Sequence, residues 1–239
     1  MRYLLIADVH SNLHALNAVI AAAQKIGYER ALCLGDIVGY NARPNECIEI
    51  LRKNNFICLQ GNHDAAAVEE IPLEEFNPEA AECIKWTKPK LTAQNKNFLS
   101  ELPRFFSMQY LLALHGSPEN PLWGYMDAEI AGDSLQRVPE SLIICGHVHM
   151  PFYYEANADS TKAIIGNSKI QCRGRRMVVS LPSVGQPRDG NPNAGFGILD
   201  AESRELGIFR AEYDVKKTYD EVLQAGLPRF EAERLISGM

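Results

Sequence analysis

No apolar run in this 239-residue chain approaches the roughly 20 residues that a membrane span needs. The opening MRYLLIADVHSN has one basic residue and then a short apolar stretch ending at Asp8, which is too brief for a secretory signal and suits a first β-strand. Cysteine is present but unpatterned. The six residues, at 33, 47, 58, 83, 145 and 172, form no C-x-x-C pair, which argues against disulfides or a thiolate metal site and for buried, reduced thiols. A cytoplasmic location is the expectation that follows. Basic charge is also in deficit, with 24 Lys and Arg against 30 Asp and Glu and a net charge of −6. Duplex nucleic acid and anionic membranes are therefore not expected as partners, and an anionic substrate would need a local reversal of sign. No repeat, low-complexity tract or linker divides the chain, so residues 1–239 are read as one domain, long enough for a substantial core.

What is present is an alternation. RYLLIA reads as a strand, and SNLHALNAVIAAAQKIG as a helix with Ser11 or Asn12 as N-cap and Gly27 as its stop. RALCL is a strand, RPNECIEILRKN a helix with Pro44 in its first turn, and FICLQ a strand. This βαβαβ order predicts neighbouring parallel strands. Residues 74–101 read as wholly helical. Strands are expected near 104–108, 111–114, 142–145, 151–155, 163–170, 176–180, 195–200 and 205–212, and two helices close the chain. The fold class is α/β, with two packed sheets and helices outside.

The apolar runs share a peculiarity in how they end. YLLIA stops at Asp8-Val9-His10, LCL at Gly35-Asp36, and FICLQ at Gly61-Asn62-His63-Asp64. YLLAL stops at His115-Gly116, and LIIC at Gly146-His147-Val148-His149. In α/β sheets ligands sit beyond the carboxyl ends of parallel strands, so these groups are expected to meet at one edge. A lone strand-end histidine is usually an ordinary one, but five of the chain's six histidines fall in this context. His14, on the first helix, is the exception and carries no assigned chemistry. In extended chain, residues i and i+2 point the same way about 6.6 Å apart. His147 and His149 would then each take one of two metals lying roughly 3.5–4 Å apart. Asp8 and His10 offer the same spacing, and Asp36 could bridge. Imidazole and oxygen without sulfur suit Mn, Fe, Co, Ni or Zn better than Ca.

In this order, D-x-H, G-D-x-x-G, G-N-H-D, H-G-S and G-H-x-H resemble the calcineurin-like metallophosphoesterase superfamily. LGDIVGYNARPNE and SVGQPRDGNP extend the likeness to its diadenosine-tetraphosphatase-like and phosphodiesterase branch over essentially the full chain. The resemblance implies a four-layer αββα sandwich of two mixed sheets flanked by helices, with a two-metal site. One divalent ion would be held by Asp8, His10, Asp36 and His149, and the other by Asp36, Asn62, His115 and His147. Manganese is the first choice, with Fe, Ni, Co, Zn and Mg as alternatives. His63 matches the family histidine that contacts phosphate and protonates the leaving group, following attack by a metal-bridging hydroxide. Two divalent ions, two carboxylates and a hydroxide leave about one net positive charge, which lets an acidic protein attract phosphate.

The expected activity is hydrolysis of phosphodiesters or phosphomonoesters, with nucleotides among the candidate substrates. The competing class is a catalytically inactive scaffold on the same fold, acting in protein binding; such chains commonly lose ligands, and here every ligand position and His63 are kept. Cupin, amidohydrolase and metallo-β-lactamase patterns do not fit GHVHMPF. Serine/threonine protein phosphatases carry an Asp-Arg-Gly run where this chain has Gly39-Tyr40-Asn41, so that subclass is not favoured. Two residues are candidate substrate contacts with a structural alternative each: Asn12 binds phosphate or caps the first helix, and Arg188 binds phosphate or pairs with Asp189. Tyr40 and Arg43 wall a pocket or lie in an exposed turn. Residues 74–101 form a helical cap or complete the outer layer.

Overall fold

A computed structural model describes residues 1–158 and 160–239. Strand β1 (Arg2–Ile6) is followed by α1 (Leu13–Ile26), β2 (Arg30–Cys33), α2 (Pro44–Lys53) and β3 (Ile57–Cys58). As the alternation predicts, β2 runs parallel to both β1 and β3. Next come α3 (Asn62–Ala67), α4 (Pro78–Lys90), α5 (Ala93–Ser100), β4 (Phe105–Met108), β5 (Leu111–Leu114), α6 (Ala128–Arg137) and β6 (Leu142–Cys145). The chain continues through β7 (Phe152–Glu155), β8 (Ser160–Ala163), β9 (Ser168–Gln171), β10 (Met177–Ser180), β11 (Ala194–Asp200) and β12 (Glu205–Ala211), and closes with α7 (Val215–Gln224) and α8 (Arg229–Ser237).

Two mixed six-stranded sheets result, in the orders β3-β2-β1-β11-β12-β9 and β4-β5-β6-β10-β7-β8. The layering follows from the two-residue period of a strand. On β1, Leu4 and Ile6 join Leu16, Val19 and Ile48 of the helices outside the first sheet. Tyr3 and Leu5 point the other way and meet Leu111, Ile144 and Val179 of the second sheet. On β6, Ile143 and Cys145 pack outward with Ala131 and Leu135 of α6. Each central strand is thus apolar on both faces because both faces are covered, which gives helix, sheet, sheet, helix. None of the described helices is long and apolar enough to cross a membrane.

Three expectations need correction. Residues 74–101 are not wholly helical: a short 3-10 turn over Leu73–Glu75 precedes α4, and Leu91 is extended at the break before α5. Asn77 and Thr92 open the two helices by accepting from the backbone N–H three residues on, a capping chemistry that periodicity alone overlooks. The strand expected over 163–170 is two strands, β8 and β9, that belong to different sheets. Helices α3 and α6 were not foreseen. The first is only six residues long, and the second hides in a segment whose charges mask its apolar stripe.

Candidate metal centre

The two sheets bring their carboxyl ends to one edge. Past the last ladder pair of β1 and β2, Asp8 N–H donates to the Gly35 carbonyl at 3.1 Å and His10 N–H to the Asp36 carbonyl at 2.8 Å. In the second sheet Gly146 N–H donates to the His115 carbonyl at 3.0 Å. The sheets are tied across by His147 N–H, which donates to Asp8 Oδ1 at 3.0 Å. His63 N–H, in the first turn of α3, donates to Asp36 Oδ1 at 2.9 Å.

The extended geometry expected for D-x-H and H-x-H is not what occurs. Both strands end before these motifs, at Ile6 and Cys145, and Asp8, His10, Asp36, His147 and His149 all have φ between 46° and 65°. Left-handed backbone costs roughly 1–2 kcal/mol for a side-chain-bearing residue. Tight left-handed turns, rather than strand pleat, therefore aim these side chains, and the strain is concentrated where the polar groups converge. Two glycines make room for them. A Cβ on Gly61 would lie 2.1 Å from Asp36 Oδ1, and one on Gly39, whose φ is +108°, would lie 2.4 Å from His63 Nδ1.

The ring tautomers follow from their partners. Carbonyl oxygens only accept, so the Nδ1 of His10, His115 and His149 must each donate: to Val38 at 3.2 Å, Leu34 at 3.0 Å and Gln186 at 2.7 Å. In neutral rings the Nε2 atoms are then bare lone pairs, yet His10 Nε2 and His149 Nε2 face one another at 3.0 Å. His115 Nε2 lies 3.1 Å from Asn62 Oδ1 and 3.4 Å from Asp36 Oδ2. Asp8 Oδ2 is buried without a partner among the described residues. Acceptors turned on acceptors in a dry interior are costly unless a cation lies among them. The donor set therefore fits divalent ions. Asp8, His10, Asp36 and His149 offer ligand atoms within 4.8 Å of one another, as do Asp36, His115 and His147. Asn62 adjoins the second set through His115.

Titration directions tell the same story. Burial pushes the Asp8 carboxyl up to about 7. Burial likewise lowers His147 to about 3 and holds His10 and His149 well below the ordinary imidazole value. Desolvation acts the same way on His115, but the Asp36 carboxylate beside it reverses the sign and raises it to about 9. Without ions, a proton on His115 takes the place of the missing positive charge. Asp36, despite burial, is held well below the carboxylate range, chiefly by His115.

A cavity of about 260 Å³ opens on this cluster. His63 lines it, and its Nδ1 is buried without a partner among the described residues. Asp64 does not assist, because its carboxylate accepts from Gly61 and Val38 backbone N–H groups. Arg188 lines the cavity too. It donates to Gln186 Oε1 at 2.7 Å, while Asp189 pairs instead with Arg210. Tyr40 is a buried wall of the cavity, whereas Arg43 pairs with Glu221 and lies elsewhere. Asn12 does not line the cavity. Its Nδ2 donates to Gly185 O and Tyr213 Oη, and its Oδ1 accepts from Ala15 N–H and Thr218 Oγ1, so the amide has no capacity left. His14 pairs with Glu221 at 3.2 Å. Sequence reasoning missed Phe76, Trp123 and Tyr125, which also line the cavity. The signal was the aromatic pair within SPENPLWGYMD, directly after the His115-Gly116 strand end.

Comparison with known proteins agrees with this geometry. A family profile described as the calcineurin-like phosphoesterase superfamily domain matches residues 1–204. The uncharacterized protein MJ0912 of Methanocaldococcus jannaschii is 36% identical over 239 residues, covering 98% of this chain and 96% of that protein. The crystal structure of a metallophosphoesterase from Sphaerobacter thermophilus superposes with a TM-score of 0.91 at 34% identity, over 100% of this chain and 99% of the other. The hypothetical protein PH1004 of Pyrococcus horikoshii shares the fold, with a TM-score of 0.82 at 22% identity over 100% and 98% of the two chains.

Proposed function

The chain belongs to the calcineurin-like phosphoesterase superfamily and is a metal-dependent phosphoric ester hydrolase; from that premise we propose that it cleaves phosphodiester or phosphomonoester bonds, nucleotides among them, at the strand-end cluster. The observation that carries this reading is the pair of lone pairs facing one another, His10 Nε2 against His149 Nε2 at 3.0 Å, beside the unpartnered Oδ2 of Asp8. Asp8, His10, Asp36 and His149 would hold one divalent ion, and Asp36, Asn62, His115 and His147 the other, with manganese first among the candidates. When bound, the ions supply an acidified water nucleophile and positive charge for the phosphate oxygens.

The chain's own residues do the rest. Arg188 presents its guanidinium to the cavity, where it would hold a phosphate oxygen by its planar fork. His63 would give the leaving oxygen its proton from the imidazole that lines the same space. Burial lowers His63 to about 4, and an anionic phosphate beside it works in the opposite direction, favouring the protonated ring. Gly39 brings backbone, not a carboxylate, against His63 Nδ1, so this histidine would act without the carboxylate support that protein phosphatases use. We place the whole chain in one catalytic domain, with the start of residues 74–101 as a partial cap, because Phe76, Asn77 and Ala80 line the cavity. Six buried free thiols suit a cytoplasmic setting.

The test is reconstitution of chelated protein with manganese, followed by a hydrolysis panel of phosphomonoesters, diesters and dinucleoside polyphosphates. His63→Ala is expected to retain the metal content of the parent and lose about 10²–10⁴-fold in kcat. An unchanged kcat in a metal-replete His63→Ala protein removes the proton-donor role.

A further inference from the structure

The cavity has two kinds of lining. Asp36, Asn62, His147 and His149 contribute the polar part, and Phe76, Trp123 and Tyr125 an aromatic part. The rings form a connected arc: Phe76 lies 5.2 Å from His63 and 4.7 Å from Trp123, and Tyr125 lies 4.9 Å from His147. None of these pairs is stacked; the interplanar angles are 79°, 58° and 68°. The contacts are edge-on or tilted, and Tyr125 remains 50% exposed. Three aromatic side chains converging on the lining suit a planar ring in the cavity.

Charge and size narrow the class. Arg188 places positive charge in the lining, whereas Glu75, next to Phe76, is an exposed carboxylate at the same cavity. A leaving group carrying further phosphates would meet Glu75; an uncharged one would not. The volume, about 260 Å³, falls just under the roughly 300 Å³ at which pockets for drug-sized ligands begin. One ring system with its phosphate fits that scale better than two nucleosides joined by a polyphosphate.

We infer that Phe76, Trp123 and Tyr125 make the site selective for phosphate esters whose leaving group is a single uncharged unit carrying a planar ring, such as a nucleoside. The inference rests on the proposed hydrolytic function and assigns its specificity. Base-on-aromatic stacking of this kind supports discrimination on the order of 10-fold or more.

The test compares a nucleoside 5′-monophosphate with ribose 5-phosphate, and the methyl diester of each. Only the base differs within each pair, and the readout is release of free nucleoside or free ribose, so that for the diesters cleavage at the methyl ester is not counted. The parent protein is expected to favour the nucleoside ester by at least about 10-fold in kcat/KM, and Trp123→Ala or Phe76→Ala to collapse that ratio toward one. A ratio unmoved by either variant, or faster turnover of a dinucleoside polyphosphate, overturns the inference and leaves the hydrolase reading intact. Failure to hydrolyse any ester in manganese defeats the hydrolase reading instead. A second measurement needs neither metal nor turnover. In Trp86→Phe protein, Trp123 is the sole tryptophan, and its fluorescence is expected to be quenched saturably by adenosine and not by ribose; absence of quenching overturns the inference independently.

Discussion

Residues 4–6 and residues 8–11 are separated on the chain only by Ala7 and are equally buried, yet they do opposite things for the molecule. Leu4, Leu5 and Ile6 have no exposed surface, and neither do Asp8 and His10. The first group removes apolar surface from water at about 25 cal/mol per Å², in extended backbone with its ladder bonds made. The second carries left-handed φ angles, an unpartnered carboxylate oxygen and an imidazole lone pair aimed at another. Burial is thus not stabilising in itself. The sheet interior contributes the stability, and the strand ends hold strained, repelling acceptors in place for ions.

The largest effect that separates the two regions comes from His149→Asn. This change removes one candidate ligand while placing a left-handed-tolerant residue at φ 61°. With manganese present, kcat/KM is expected to fall by about 10³-fold or more, because the Lewis-acid contribution is worth several kcal/mol. The metal-free protein is expected to unfold in urea within about 1 kcal/mol of its parent. Relief of the 3.0 Å contact with His10 offsets the hydrogen bond lost from Nδ1 to Gln186, itself worth about 1 kcal/mol. A destabilisation of core size in the metal-free state would erase the contrast drawn between the two regions.

Much of this was legible beforehand, for a physical reason. The polar groups that converge here are chemically conspicuous against apolar strands, so Asp8, His10, Asp36, Asn62, His115, His147 and His149 stand out one by one, and parallel pairing brings their strands to one edge. Their backbone conformation was not legible, because a two-residue spacing suits both an extended pleat and a left-handed turn, and only the strand ends at Ile6 and Cys145 decide between them. The aromatic lining escaped notice because tryptophan and tyrosine in a loop read as ordinary surface. Its meaning depends on Phe76 arriving from a segment some fifty residues earlier, roughly the distance over which local pattern carries no information. The break in residues 74–101 escaped for a related cause: single capping residues, Asn77 and Thr92, override an otherwise continuous helical pattern.

The converse substitution sits in the core. Leu5→Ala removes a fully buried side chain between the two sheets and is expected to cost about 2–5 kcal/mol in urea unfolding. The folded fraction should keep its turnover. Manganese sharpens the comparison, since a ligand at about 100 times its Kd adds about 2.7 kcal/mol to the native state. The metal should raise the parent and Leu5→Ala by equal increments and His149→Asn by much less. Unequal increments for the parent and the core variant would mean that the sheet interior and the strand ends are energetically one unit, and the division proposed here would fail.

The smallest effect concerns Asn12, which stands at the border of the two regions. It lies two residues from His10, directly after the left-handed Ser11 and with a φ of −89° of its own, and every bond its amide makes is structural: the first turn of α1, Gly185 O, Tyr213 and Thr218. By that accounting it belongs with the core. Asn12→Ala is expected to lower stability by about 1–2 kcal/mol, the scale of a lost helix cap. The KM of the folded protein for its ester should change by less than about 3-fold, since a group with no free donor offers a phosphate nothing to lose. A rise in KM of about 10-fold at unchanged stability would move Asn12 across the border and return to it a direct contact with phosphate. The distinction is decidable because the two roles draw on the same amide hydrogens, and a donor already committed to Gly185 O and Tyr213 Oη cannot also serve an anion.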